Sequence, residues 1–454
     1  MATPRWFPRA VAVLGLAAWL TLAVAAPALA TNATNLLGYS AASQSLAGAD
    51  SVGVLDISLI NSNPASLFLL PDSSDRDPQS LFSGGLTNLS LGVLQPYLHH
   101  TDAFGNSRGG ENNPVLALHG GMAVRLRDLP RLTLGLGLFS QGGIGVDFRG
   151  LTTAFGTRDD VSSYLRYTKL ALAASYQLTD NLAIGVAPNV GYSDLTLHLF
   201  PRTSSATFAG IDIGDRCSRN LGVGEPGSDC PWDVTLGVKA GVTYKITPMV
   251  TVGLDYTSPV DFHYRDGRAK LNFSAFGLGQ VTYDVDVTGF SWPQQLELGL
   301  AVRPTPRLLL AADLAWHQWS AFDHVTLHFR NPRNSAAPAN VNIRLTADWR
   351  DQYIMALGAA YDLIPEVFTV RGGYNLATNP NPGGTLSPAI QVPFEHHVTG
   401  GVGYRPAKHW EMDAAFAYAF EKKVTYTNQQ LPFGPNATEA PSGFSIDLTV
   451  GYRF

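Results

Sequence analysis

Apolar and polar residues alternate with period two along most of this chain. In the last twelve residues, GFSIDLTVGYRF, one face carries Phe444, Ile446, Leu448, Val450, Tyr452 and Phe454, and the other Ser445, Asp447, Thr449, Gly451 and Arg453. Such alternation predicts strands whose two faces meet different surroundings. Leu236 to Ile246 repeats it, as do Leu132 to Leu138, Leu170 to Leu178, Leu182 to Tyr192, Leu296 to Val302, Met355 to Leu363 and Met412 to Phe420. About fourteen strands are expected, starting near Leu86, Leu116, Arg131, Tyr164, Leu182, Val234, Thr251, Thr288, Leu308, Arg344, Phe368, His396, Glu411 and Phe444.

The connections alternate between short and long. Arg127 to Pro130, Thr179 to Asn181, Thr247 to Met249, Pro304 to Pro306, Ile364 to Glu366 and Pro406 to His409 are tight. Between them come long segments around His99 to Asn113, Arg149 to Ser163, Pro201 to Asp233, Asp266 to Gln280, Asn331 to Asn342, Asn375 to Phe394 and Asn428 to Ser442. A sandwich has no reason to gather every long loop at one end. A transmembrane antiparallel β-barrel does, with tight periplasmic turns, long extracellular loops and an apolar face toward lipid. Closure also removes the exposed edges that so many apolar strands would otherwise present. Tyr244, Tyr256, Tyr361, Tyr374, Tyr404 and Tyr452 near strand ends suit interfacial aromatic girdles. The fold class is therefore all-β, a barrel of about fourteen strands in a bacterial outer membrane; a soluble β-rich secreted protein is the alternative.

The first thirty residues stand apart. Arg5 and Arg9, an apolar Val11 to Ala26 and Ala28-Leu29-Ala30 form a secretory signal peptide. Its removal leaves 29 basic against 36 acidic residues, which speaks against a nucleic-acid partner. Cys217 and Cys230 are the only cysteines, and in an exported chain they read as one loop disulfide, contributing about 3 kcal/mol by loop entropy. Neither they nor the adjacent pairs His99-His100 and His396-His397, whose side chains point to opposite strand faces, make a metal site.

Residues 31–85 precede the first expected strand without alternating. Their stretch LINSNPASLFLL, residues 59–70, is too apolar for a disordered tail. Pro64 fixes φ and removes a donor, so the Asn-Pro turn can reverse the chain in a crowded space, with Ile60, Leu67 and Phe68 packing around it. An Asn-Pro met alone is usually a surface turn.

The segment AGADSVGVLDISLINSNPASLFLL resembles the N-terminal hatch of the FadL family of outer-membrane transporters, with the family's Asn-Pro-Ala motif standing as Asn63-Pro64-Ala65. Three further stretches are similar to the family: LGLGLFSQGGIGVDF at the third strand, LAADLAWHQWSAFDHVTL at the ninth and VPFEHHVTGGVGYR before the twelfth. The resemblance implies a hatch over residues 31–85 and a barrel over 86–454. It implies a monomer that passively carries long-chain fatty acids or aromatic hydrocarbons. Capture by extracellular loops, lumenal binding and hatch movement would end in lateral release at a third-strand kink, where the matching residues are Gln141, Gly142, Gly143 and Gly145. Glycines inside a strand independently read as a bend, or as room for close packing. The terminal Phe454 is similar to the signal read by the barrel assembly machinery.

No cofactor is implied, and no phosphate loop or energy-coupling motif is present. Burial of apolar ligand, about 0.8 kcal/mol per CH₂, would drive capture. Strand parity places Trp316 on the lipid face and Trp319 on the lumen face, where Trp319 could line the ligand path beside Phe68. Lys239, Lys245, Arg303 and Arg371 are candidate partners for a carboxylate by the same parity. A general diffusion porin and a barrel enzyme are the rivals. The first would have an open lumen, and the second lacks a G-x-S-x-G elbow.

Overall fold

The computed structural model describes residues 31–70, 82–214, 229–390 and 394–454. The expected signal peptide and Cys217 lie outside the described residues. Each wall strand pairs antiparallel with the next. The order is β1 (Phe82–Tyr97), β2 (Val115–Leu126), β3 (Leu132–Thr152), β4 (Arg158–Gln177), β5 (Leu182–Ser204), β6 (Trp232–Thr247) and β7 (Val250–Thr257). It continues through β8 (Gln295–Thr305), β9 (Leu308–His317), β10 (Gln352–Ile364), β11 (Phe368–Ala377), β12 (His396–Ala407), β13 (Trp410–Ala419) and β14 (Ser442–Arg453). β14 pairs with β1, Leu448 opposite Leu91, and the ladder closes into a ring.

The number of strands needs correction. Sixteen strands of eight residues or more stand among the described residues, against about fourteen expected. The closing ladder runs through the fourteen named above, and the other two, Val260–Asn272 and Gln280–Trp292, pair with each other as a hairpin inserted between β7 and β8. The expected eighth strand from Thr288 is the end of that hairpin, and the wall resumes only at Gln295. Likewise the alternation near Arg344 belongs to the loop strand Asn340–Thr346, and the tenth wall strand begins at Gln352. Period two reports a strand with unlike faces, not membership of the wall, so long loops built from hairpins carry the same signal. The long connection expected at Arg149 to Ser163 is mostly strand, because β3 and β4 stay paired out to Thr152 and Arg158.

The two faces of the wall differ as the pattern requires. Leu236, Leu172, Leu89 and Leu448 are exposed on the outside. Lys239, Thr243, Ser175 and Asp447 are buried inside.

Residues 31–70 lie within the ring. Ala41 N donates to Thr449 Oγ1 of β14 at 2.8 Å, Ser51 N to Asp313 Oδ2 of β9 at 2.8 Å, and Asn375 Nδ2 of β11 to Ala47 O at 3.1 Å. Ser175 Oγ of β4 donates to Ala65 O at 2.8 Å. Bonds to four separated parts of the wall can be made only from the interior. The first wall strand starts at Phe82, four residues before the Leu86 expected, because Phe82 to Gly85 already pair with β2.

Candidate functional site

The Asn-Pro-Ala motif starts a short helix and is not a free turn. Asn63 is the N-cap of a 3₁₀ helix, Pro64–Leu69, and accepts from Ala65 N at 3.1 Å. Pro64 fits at the first helical position because its missing N–H would have had no partner there. Asn63 Nδ2 donates to Thr243 Oγ1 of β6 at 3.3 Å, and Ser66 Oγ donates to Ser51 O at 2.7 Å. The wall yields to this turn: a β-carbon on Gly185 would overlap the Pro64–Ala65 peptide.

The third strand bends where the glycines are. Its register against β4 shifts between Ser140 and Gly142, and its ladder to β2 ends at the His119–Phe139 pair. Among the described residues no backbone ladder joins β2 and β3 beyond that pair. Ser140 Oγ substitutes locally, accepting from Leu118 N at 3.1 Å. The freed edge of β3 takes the interior segment instead: Gly143 N donates to Thr34 O at 2.9 Å, and Asn35 pairs with Gly142. A β-carbon on Gly142 would collide with the Thr34 carbonyl. Gln141 turns inward, donating to Asn35 Oδ1 at 3.0 Å and accepting from Asn61 Nδ2 at 3.1 Å. Gly145 lies past the bend in regular pairing with Tyr164, with no crowding of this kind.

Above the bend, toward the long loops, the interior is aromatic. The inserted hairpin supplies Phe262 and Trp292, which meet Tyr167 of β4 at ring separations of 5.1 and 4.9 Å, and Phe290, whose ring lies 6.2 Å from each of them. Trp319 is fully buried, 5.7 Å from Trp292 and 5.0 Å from Trp349. It reaches this place from the 3₁₀ turn Trp319–Ala321 after β9 and not by strand parity, since the alternation stops at His317. Trp316 donates Nε1 to Asp351 Oδ2 at 2.9 Å, tying it to a loop carboxylate. Trp292 Nε1 donates to Asn35 Oδ1 at 3.1 Å, so the hairpin, the bend and the interior segment converge on one asparagine.

Phe68 does not join this group. Its carbonyl accepts from Arg125 at 2.8 Å and its ring lies under the Lys245 ammonium, 4.8 Å away, at the short-turn end. The anticipated cations are also committed elsewhere. Lys239 pairs with Asp255 at 2.7 Å and Arg371 with Asp413 at 2.6 Å, while Arg303 opens toward the short turns.

The sequence pattern missed Lys169. On β4, two residues after Tyr167, it is buried with no ion pair or hydrogen bond from its ammonium among the described residues. It borders two adjoining cavities, one shared with Gln141, Tyr167, Trp292 and Asn189, the other a polar space of about 60 Å³ against Asp50, Glu297 and Asp313. Its lumen-facing parity was legible, but the absence of a partner is a property of the fold. Cys230 is buried and disulfide-bonded.

At the outer rim, His99–Thr101, Ser107–Gly109, Val424–Tyr426 and Ala437–Glu439 form a small sheet joining the first and last long loops. His100 lies between Glu439 Oε1 at 2.6 Å from Nδ1 and Asp102 Oδ2 at 3.1 Å from Nε2. Burial disfavours its charge, but the two carboxylates outweigh burial and hold His100 up at about 9.

Over residues 16–454 the sequence matches the family described as outer membrane protein transport protein (OMPP1/FadL/TodX). The chain belongs to this family. The Pseudomonas putida toluene transporter TodX is similar in structure, with TM-score 0.72, 22% identity, and coverage of 92% of this chain and 99% of that one. A Pseudomonas aeruginosa FadL homologue gives 0.71, 16%, 93% and 99%. The Ralstonia pickettii toluene transporter TbuX gives 0.66, 22%, 92% and 98%. At these identities the likeness is one of fold. A 47 kDa outer membrane protein of Pasteurella multocida (strain Pm70) is 27% identical over 230 residues, 48% of this chain and 50% of that protein. The match thus spans about half the length of that curated relative. The protein is an outer-membrane β-barrel of a family that transports hydrophobic compounds, and the family and its structural neighbours are channels, not enzymes.

Proposed function

We propose that this protein carries amphipathic hydrophobic molecules with an anionic head, long-chain fatty acids above all, across the outer membrane. The observation that carries this reading is Lys169, a buried lysine with no bonded counter-ion among the described residues, placed between the aromatic cluster and the polar cavity. An unpaired buried charge is costly. A bound carboxylate would relieve that cost while its chain packs among Tyr167, Trp292 and Trp319.

In this reading residues 31–85 act as a hatch and the wall that follows, called 86–454 from sequence, acts as a monomeric barrel. The bend at Gln141, Gly142, Gly143 and Gly145 provides the lateral release point. Its basis is that the backbone ladder from β3 to β2 ends at Phe139 and the hatch backbone pairs with β3 at Gly142 and Gly143, so withdrawal of Thr34 and Asn35 would free that part of the edge. A lumen occupied by residues 31–70 argues against a general diffusion porin. Phe454, whose N–H donates to Gly85 O at 3.0 Å, would be presented to the assembly machinery before the barrel closes.

Uptake of a neutral aromatic hydrocarbon is the second reading. It is favoured by the aromatic cluster and by neighbours whose names specify toluene. Lys169→Met separates the two. For the purified barrel in maltoside detergent, loss of a charge-assisted hydrogen bond of about 1.5–3 kcal/mol should weaken oleate binding roughly ten- to a hundredfold. Toluene binding should not change. Unaltered oleate affinity in this variant would sink the fatty-acid reading.

A further inference from the structure

A cavity of about 300 Å³ opens at the short-turn end, between the interior segment and the wall from β8 to β14. That volume is at the lower end of the range for small-molecule sites. Its lining has two characters. The interior segment and β9 contribute Leu46, Val54, Leu55 and Leu309, with Asp56 held by Ser40 and Ser58, and the wall contributes five arginines. Arg371 pairs with Asp413 at 2.6 Å, and Arg453 and Arg405 share Glu411 at 2.7 and 3.8 Å. Arg303 and Arg307 have no ion pair among the described residues, though Asp362 lines the same space.

We propose that this basin is a second binding station, on the periplasmic side of the hatch, for the carboxylate-headed cargo of the preceding reading, on which this inference rests. Arg303 and Arg307 receive the head, and the Leu46 to Leu309 side receives the first carbons of the chain. Between the stations lie Asp50, Asp255, Glu297 and Asp313, of which Lys239 pairs directly with Asp255. The carboxyl oxygens of Asp50, Glu297 and Asp313 lie within 4.8 Å of one another there, and this packed cluster closes the way as long as Asp50 stays against the wall. Cargo can therefore reach the basin only when the hatch shifts, and the basin gives it an exit toward the periplasm distinct from the lateral one.

The test is photolabelling of the purified full-length barrel in maltoside with a diazirine-bearing palmitate, the labelled peptides being mapped by mass spectrometry. Wild-type protein should label both near Tyr167 and Trp292 and around residues 303–309. In the double variant Arg303→Gln, Arg307→Gln, label at the lower position should fall about tenfold while the upper label persists. Heat-modifiable migration on gels reports that the variant is folded. Upper label without lower label in the wild type, or lower label unchanged in the double variant, overturns this proposal alone. Absence of both labels overturns the anionic-cargo reading as well. Excess phosphatidylglycerol that removes only the lower label would also overturn it, by assigning the basin to a lipid headgroup.

Discussion

The two halves of the lumen are held by different forces. Near the long loops, Trp292, Trp319, Phe322 and Trp349 pack ring against ring, Phe322 5.1 Å from Trp349, and Trp292 and Trp319 each add one indole hydrogen bond, to Asn35 and Gln352. Around the interior segment, hydrogen bonds to the wall accompany the apolar packing of Ile57, Ile60 and Leu67. Ala41 N donates to Thr449 Oγ1 at 2.8 Å, Ser51 N to Asp313 Oδ2 at 2.8 Å, and Ser66 Oγ is 2.8 Å from Thr243 Oγ1. A polar contact contributes only about 0.5–1.5 kcal/mol net, because water can replace either partner. A close-packed aromatic contact has no such substitute. In the proposed reading, the half that moves is tied to the wall in part by bonds that can be exchanged for water, and the half that discriminates is joined by shape.

The comparison breaks first at Trp319. Trp319→Ala should cost about 3–5 kcal/mol in urea unfolding from lipid vesicles, whereas Ser66→Ala should cost about 1 kcal/mol. Equal losses would show that the two halves are not held differently. Gly185→Val acts on the polar half. Its side chain overlaps the Pro64–Ala65 peptide, and overpacking of this kind costs about 1–3 kcal/mol. Because the polar seam is the softer side, the strain should displace the hatch and leave the wall in place. Planar-bilayer recordings should show a sustained rise in ion conductance at normal heat-modifiable migration. A variant that stays closed and fully folded would mean that the seam is stiffer than its hydrogen bonds imply.

The wall was legible in the chain and the site was largely not. Alternation such as Leu236 to Ile246 records a wall that faces lipid on one side and buried polar groups on the other, and local pattern carries that directly. It could not separate the wall from the hairpin at Val260–Asn272 and Gln280–Trp292, since both bury one face. Asn63-Pro64-Ala65 and the Gln141 to Gly143 bend stood out because backbone geometry restricts which residues can occupy them. Lys169 did not. Its parity matched that of Lys239, and only the fold shows that Asp255 serves one lysine directly and leaves the other without a bonded partner. Trp319 was singled out for its lumen face, and it does point inward, but from a turn that parity does not describe.

The smallest effect is expected at the outer rim, where neither description applies and a single ionised group joins two loops. His100 can donate to Glu439 and Asp102 together only while both ring nitrogens carry protons. Its folded value of about 9 lies above the ordinary 6.5, so its contribution is complete below pH 6.5 and is lost as pH rises through 9. Tyr426 Oη keeps its own bond to Glu439 at 2.7 Å, which limits the loss. Hydrogen exchange at His99–Thr101 and Ala437–Glu439, corrected for intrinsic rate, should therefore quicken about tenfold between pH 7 and 10, a local change of about 1.4 kcal/mol. The β4–β5 ladder should show no such change. His100→Gln should remove the pH dependence, because a neutral amide can donate to one carboxylate but cannot lose a proton in this range. Protection that stays flat in the wild type would mean the loops are joined by their backbone ladder alone, and the rim would then need no charge to stay shut.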